Sequence, residues 1–192
     1  MTTFLLHGGA ISKDTKDNDE FFHQFTTLVD KQTVKILLCY WARDKGQWNL
    51  LTKRDTSKIL KNTSKSVEFH VVQNTKDLFS KLPEFDILYV SGGKAEPIEP
   101  LYSALGRLKK SLDGKVYAGS SMGAFLVSEH YVLSFDRQDS NTVHKGLALV
   151  PFQILCHWNI ETKKQEKLKL LKTHSNLPVL VLEESQFVTM YQ

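Results

Sequence analysis

The sequence is short of several things, and each shortage removes a class of protein. Its 192 residues hold 2 cysteines, too few for the disulfide framework of a small secreted domain. Both, Cys39 and Cys156, lie inside apolar runs, where buried thiols in a reducing compartment are expected. With 5 Pro and 10 Gly, collagen-like and low-complexity chains are excluded. No apolar run approaches the roughly 18 residues of a membrane span. The opening residues, Met1 to His7, lack the basic start and long apolar stretch of a secretory leader. A cytoplasmic location is therefore expected. No CxxC, HExxH or His/Cys cluster at metal-ligand spacing occurs, so neither a metal nor another cofactor is expected. Lys+Arg 25 against Asp+Glu 21 leaves a net +4 with no clustered basic stripe, which argues against nucleic acid as a partner. A membrane partner is not expected either.

What is present is an alternation. Short apolar runs at Phe4–Leu6, Val34–Tyr40, Val67–Val72, Asp86–Val90 and Lys115–Ala118 read as strands. Their near-continuous Val/Ile/Leu content suits strands covered on both faces. Between them, Glu20–Asp30 and Pro97–Leu112 place apolar residues at helical spacing, with Pro97 suited to a first turn. Glu161–Lys172 reads as a basic amphipathic helix with a solvated face, and Pro178–Leu182 and Gln186–Met190 as two closing strands. The length fits one domain over 1–192. The order of elements predicts an α/β fold with a mostly parallel sheet and right-handed crossovers. In such a sheet functional groups collect at the carboxyl ends of strands.

Two strand ends carry chemistry. Gly119-Ser120-Ser121-Met122-Gly123 follows the fifth strand and precedes the helical run Ala124–Glu129, which is G-x-S-x-G in strand–turn–helix context. The flanking glycines let a sharp turn lift the Ser121 hydroxyl above the sheet without collision. The Met122 amide then opens a helix, where it can donate to a developing oxyanion. Ser91-Gly92-Gly93-Lys94 after the fourth strand allows close backbone approach by a substrate carbonyl and offers a second donor. Ser120 fills the variable position of the motif.

The hydroxyl needs a base. Among 7 histidines, His157 ends the apolar segment Leu149–Cys156 and is favoured. His7, which also follows a strand, is its rival.

At this point the stretch Asp86–Trp158 resembles the serine peptidases of the dipeptidase E (aspartyl dipeptidase) and cyanophycinase family. The resemblance rests on DILYVSGGK, VYAGSSMGA and KGLALVPFQILCHW, and on the 36 residues from Ser121 to His157. It implies a three-layer, flavodoxin-like α/β fold akin to class I glutamine amidotransferases, with helices on both faces of the sheet. It also implies a serine hydrolase acting on short peptides as a dipeptidase does, with Ser121 as nucleophile, His157 as base and the amides of Gly93 and Met122 as oxyanion donors. For the acid the resemblance offers Glu184 and Asp136, with Glu184 slightly preferred. Met122 stands where the family usually has Ala, and Lys94 where an Asn commonly follows Gly-Gly. Lys94 or Arg137 would suit a substrate carboxylate. The expected partner is a small peptide substrate, and the expected assembly a monomer or a homodimer.

Two other readings compete. G-x-S-M-G with His7-Gly8-Gly9 is compatible with an α/β-hydrolase esterase using His174 as base, although few residues follow Ser121 for that fold. A catalytically silent ligand-binding relative is the other.

Overall fold

A computed structural model describes residues 1–134 and 141–192. Asp136 and Arg137 lie outside the described residues. The elements run β1 (Thr3–His7), α1 (Lys16–Thr27), β2 (Thr33–Cys39), α2 (Trp48–Lys61), β3 (Ser66–Val71), α3 (Thr75–Lys81) and β4 (Ile87–Val90). Next come α4 (Tyr102–Leu105), α5 (Leu108–Ser111), β5 (Val116–Ser120), α6 (Met122–Val127), β6 (His130–Val132) and β7 (Val143–Lys145). The chain ends in β8 (Gln153–Leu155), α7 (Lys164–His174), β9 (Val179–Val181) and β10 (Phe187–Tyr191).

The larger sheet has the order β10-β1-β5-β4-β2-β3. Its members are parallel except β10, which runs antiparallel to β1 along one edge. The apolar runs are continuous because successive residues serve opposite faces. Leu5, Ile36 and Leu38 join the core under α1 and α2 with Phe21, Phe22, Phe25 and Ile59. Their neighbours Phe4, Leu6, Leu37 and Cys39 join a second core with Leu78, Leu105, Leu108 and Phe125. Helices therefore cover both faces, giving the three-layer α/β fold. Both cysteines are free and buried, and burial pushes the Cys39 thiol up to about 12.

The strands form a second sheet as well. Four of them pair in the order β7-β6-β8-β9, with β6, β8 and β9 mutually parallel. The two closing strands thus do not form a hairpin. Residues 183–186 carry the chain from β9 in the small sheet to β10 on the edge of the large one. The predicted helix over 97–112 is also different. Pro100 lacks the N–H an interior turn needs and Gly106 separates two short turns, so a 3₁₀ turn at Glu99–Leu101 precedes α4 and α5. The apolar stripe still buries Ile98, Leu105, Leu108 and Leu112.

Register places the site. His7 is paired with Ser120, Gly119 with Val90, and Val90 with Cys39. The loops leaving β1, β5, β4 and β2 consequently open at one edge of the sheet.

Candidate active site

Ser121 sits on the turn between β5 and α6 at φ 51°, a left-handed conformation that costs a non-glycine residue energy and must be held by its surroundings. Its N–H donates to the His7 carbonyl at 2.9 Å, and its carbonyl accepts from the N–H groups of Ala124 and Phe125. The flanking glycines are required by contact. A Cβ on Gly119 would stand 2.4 Å from the Gly123 carbonyl oxygen, and one on Gly123 would stand 2.1 Å from that of Val90.

The small sheet supplies the partner groups. His157 lies two residues past β8, and Glu184 three past β9. The Ser121 Oγ lies 3.0 Å from His157 Nε2, and His157 Nδ1 lies 2.9 Å from Glu184 Oε1. With its Nδ1–H donated to the carboxylate, the imidazole presents an acceptor nitrogen to the hydroxyl. The line can draw a proton from Oγ and stabilise the imidazolium that results. The Glu184 side chain is 9% exposed and that of His157 12%. Burial alone would raise the Glu184 pKa. The Lys13 ammonium, 2.6 Å from Oε2, and the His157 imidazole outweigh that and hold the carboxyl below the usual range.

Backbone bonds set this line. His157 N–H donates to the Gly8 carbonyl at 3.0 Å, Ser185 N–H to that of Gly9 at 3.0 Å, and Trp158 N–H to that of Leu182 at 3.1 Å. The Glu184 N–H is taken by Asn159 Oδ1 at 2.9 Å. Gly9 has φ +116°, and a Cβ there would lie 2.1 Å from His157 Cε1. Only glycine allows the imidazole to rest on the end of β1.

A family model described as peptidase family S51 matches residues 4–192. The chain belongs to peptidase family S51. It is thereby a serine peptidase by family. No match was found among curated proteins. Among solved structures, a peptidase from an acI-B1 Actinobacterium superposes with a TM-score of 0.67 at 15% identity, over 99% of this chain and 83% of that one. A candidate peptidase E from Listeria monocytogenes EGD-e gives 0.61 at 18% identity, over 100% and 99% of the two chains. At these identities the structures speak for the fold.

In this S51 peptidase the loops around Ser121 enclose a cavity of about 320 Å³, lined by Ser121, His157, residues 9–12, Ala42, Arg43, Asp44, Gln47, Arg54 and residues 92–94. A small recess of about 30 Å³ on another side of the serine is lined by Gly93, Met122, Phe125, Leu133 and Ser134. Gly93 and Met122 are thus both brought beside Ser121 and His157. Gly93 needs its missing side chain, because a Cβ would stand 1.9 Å from the Ala42 carbonyl oxygen. Arg43 Nε donates to the Gly92 carbonyl at 2.5 Å. Lys94 lies on the wall of the larger cavity.

Other expected groups fall elsewhere. The rival base His7 is fully buried. Its Nε2–H meets Asn18 Oδ1 at 2.8 Å and its Nδ1 accepts the Gly9 N–H at 3.0 Å, so both ring nitrogens are engaged away from substrate. Burial, against the Asn18 hydrogen bond, brings its pKa down to about 4. Gly8 and Gly9 pack beneath Glu183 and His157. His174 stands edge-on to His130, with ring centroids 4.5 Å apart. Among the described residues no group of three His, Cys, Asp or Glu is placed to hold a metal ion, and no helix is long and apolar enough to cross a membrane.

Lys13, Asn18, Arg43 and Asn159 escaped the sequence reading. Only Asn18 left a trace there: a polar residue on the apolar stripe of Phe21, Phe22 and Phe25.

Proposed function

We propose that this peptidase hydrolyses short peptides, in the manner of a dipeptidase, through an acyl-enzyme on Ser121. The observation that carries the reading is the 3.0 Å approach of Ser121 Oγ to His157 Nε2, with Glu184 behind the ring. Oγ attacks the scissile carbonyl as His157 takes its proton, and Glu184 holds the imidazole in the tautomer that accepts it. The amides of Gly93 and Met122 receive the oxyanion as the carbonyl carbon becomes tetrahedral. A donor so placed sustains roughly 10²–10³ in rate. The protonated imidazole then gives its proton to the leaving amine, and water repeats the sequence to release the acid. The turn carrying Ser121 acts as a nucleophile elbow, its strain held by the His7 carbonyl and by α6.

The cavity suits a peptide that carries a carboxylate, because Arg43 and Lys94 line it against Asp44, while Arg54 on the same wall is paired with the buried Asp55 at 2.7 Å. Digestion of a short-peptide library, read by mass spectrometry, tests the function. The unsubstituted chain should release products, and Ser121→Ala and His157→Ala should release none at unchanged folding. Hydrolysis retained by Ser121→Ala would overturn the assignment.

A further inference from the structure

We infer that Lys13 is a positioning residue of the reaction, its ammonium gripping the outer oxygen of Glu184 so that the inner one stays turned to His157. The inference rests on the peptidase reading for its consequence, and on geometry for its substance. Glu184 offers two oxygens. Oε1 meets His157 Nδ1 at 2.9 Å and Oε2 meets Lys13 Nζ at 2.6 Å, so the carboxylate is held at both ends. Its side chain is 9% exposed, which leaves little water to replace the ammonium.

Ordinary surface ion pairs contribute little, because two long side chains must be ordered for one weak contact. Lys13 itself is 59% exposed, but its backbone is fastened before the side chain begins. Its N–H donates to the Ala10 carbonyl at 3.0 Å. Its carbonyl accepts from Asn18 Nδ2 at 2.8 Å and from Lys58 Nζ at 3.3 Å. Asn18 is fully buried and spends its Oδ1 on His7, so the fold builds this turn from beneath. The same turn continues into the cavity wall at Ile11 and Ser12. One loop therefore shapes the substrate cavity and steadies the acid.

The charged groups facing the Glu184 carboxylate are Lys13, from the loop after β1, and His157, from the loop after β8. Lys58 of α2 stands behind Lys13 and pairs with Asp14 at 2.6 Å, so it is spoken for. Burial raises the Glu184 pKa, and Lys13 is the leading contact opposing it. Without Lys13 the carboxyl takes up a proton at higher pH and loses its hold on the imidazole.

The test compares Lys13→Met and Lys13→Arg with the parent chain, using kcat and KM across pH on a short peptide. The Glu184 carboxyl is titrated in parallel by carbon NMR, which needs no turnover. Lys13→Met should move the Glu184 titration and the acid limb of kcat/KM to higher pH. It should lower kcat about fivefold, the scale of a unit charge contact of about 1 kcal/mol near solvent, with KM changed less. Lys13→Arg should restore both, and thermal unfolding of Lys13→Met should fall by no more than the shift in the Glu184 titration accounts for. Coincident titrations and pH profiles in a folded Lys13→Met chain would overturn the inference. A Glu184 titration that moves while the parent chain cleaves no peptide supports the Lys13 contact and overturns the peptidase reading instead.

Discussion

Lowering the pH from 7 to 4.5 puts a proton on offer to His7, which is fully buried behind the Ser121–His157–Glu184 line. The ring has no room for a second N–H. Nε2–H is spent on Asn18 Oδ1 and Nδ1 already faces the Gly9 N–H as an acceptor, so a proton on Nδ1 would set donor against donor. Ser120 Oγ stands 3.4 Å from the same nitrogen. With an ordinary value of 6.5 in the unfolded chain and about 4 in the folded one, the unfolded state takes the proton first. The contribution of His7 to stability is thus full above pH 6.5 and is lost as the pH falls toward about 4. Down to pH 4.5 the loss comes to roughly 2 kcal/mol, a sizeable share of the ~5–15 kcal/mol a domain commands.

Urea unfolding at pH 7 and 4.5, run on the parent and on His7→Gln, isolates this term from the other acid-labile groups. The parent should lose about 2 kcal/mol more than the variant over that interval. NMR titration of the His7 ring in the parent gives a second reading that does not depend on the variant folding. Equal losses in the two proteins, or a His7 ring that titrates near its ordinary value, would refute the reasoning.

Gly9→Ala puts a methyl 2.1 Å from His157 Cε1 at a φ of +116°. The imidazole must be displaced, so kcat should fall at least ~10²-fold while the fluorescence of the folded state persists; near-parent turnover would mean that His157 is not the base. Arg43→Met releases the Gly92 carbonyl. In a trans peptide the Gly93 N–H points away from that carbonyl, so its aim toward the oxyanion should loosen. On an uncharged substrate kcat should drop about tenfold, short of the ~10²–10³ of a donor removed outright. A change in KM alone would assign Arg43 to substrate binding only.

The sequence reading reached the large sheet and the Ser121–His157 pair, which the structure brings to 3.0 Å, for the same reason: both are written in local pattern. Val34–Tyr40 is apolar throughout because both its faces are covered, and Ser121 is framed by glycines because Gly123 presses on Val90. Family resemblance offered Glu184 beside Asp136; the structure brings Glu184 to 2.9 Å from His157, while Asp136 lies outside the described residues. That a second sheet exists stayed hidden. Of its members, only β9 was read as a strand, within Pro178–Leu182; β6, β7 and β8 are three residues each, too short for periodicity to reveal. Lys13 was hidden by distance, since 171 positions separate it from Glu184 and no motif spans them. Helix α2 buries Leu51, Asp55 and Ile59, and its mostly polar composition gave the pattern little weight.

The division of the Ser121–His157–Glu184 line between two sheets explains why β1 ends in His-Gly-Gly. The large sheet brings Ser121 and the small sheet brings His157 and Glu184, so their alignment is only as accurate as the joint between the sheets. That joint is backbone. Gly8 N–H donates to the Gln186 carbonyl at 2.9 Å, while the carbonyls of Gly8 and Gly9 receive His157 and Ser185. A Cβ on Gly8 would stand 2.0 Å from the Glu183 carbonyl oxygen, which would push the 183–186 crossing off the sheet. His7, one residue earlier, fixes the same strand end through its ring and holds Ser121 N–H through its carbonyl. Ser121, His157 and Glu184 are therefore all referenced to one short stretch of β1. A shift of that stretch moves Ser121 and His157 by different amounts, which is why the residues most sensitive to substitution should include His7, Gly8 and Gly9 although none of them lies on the Ser121–His157–Glu184 line.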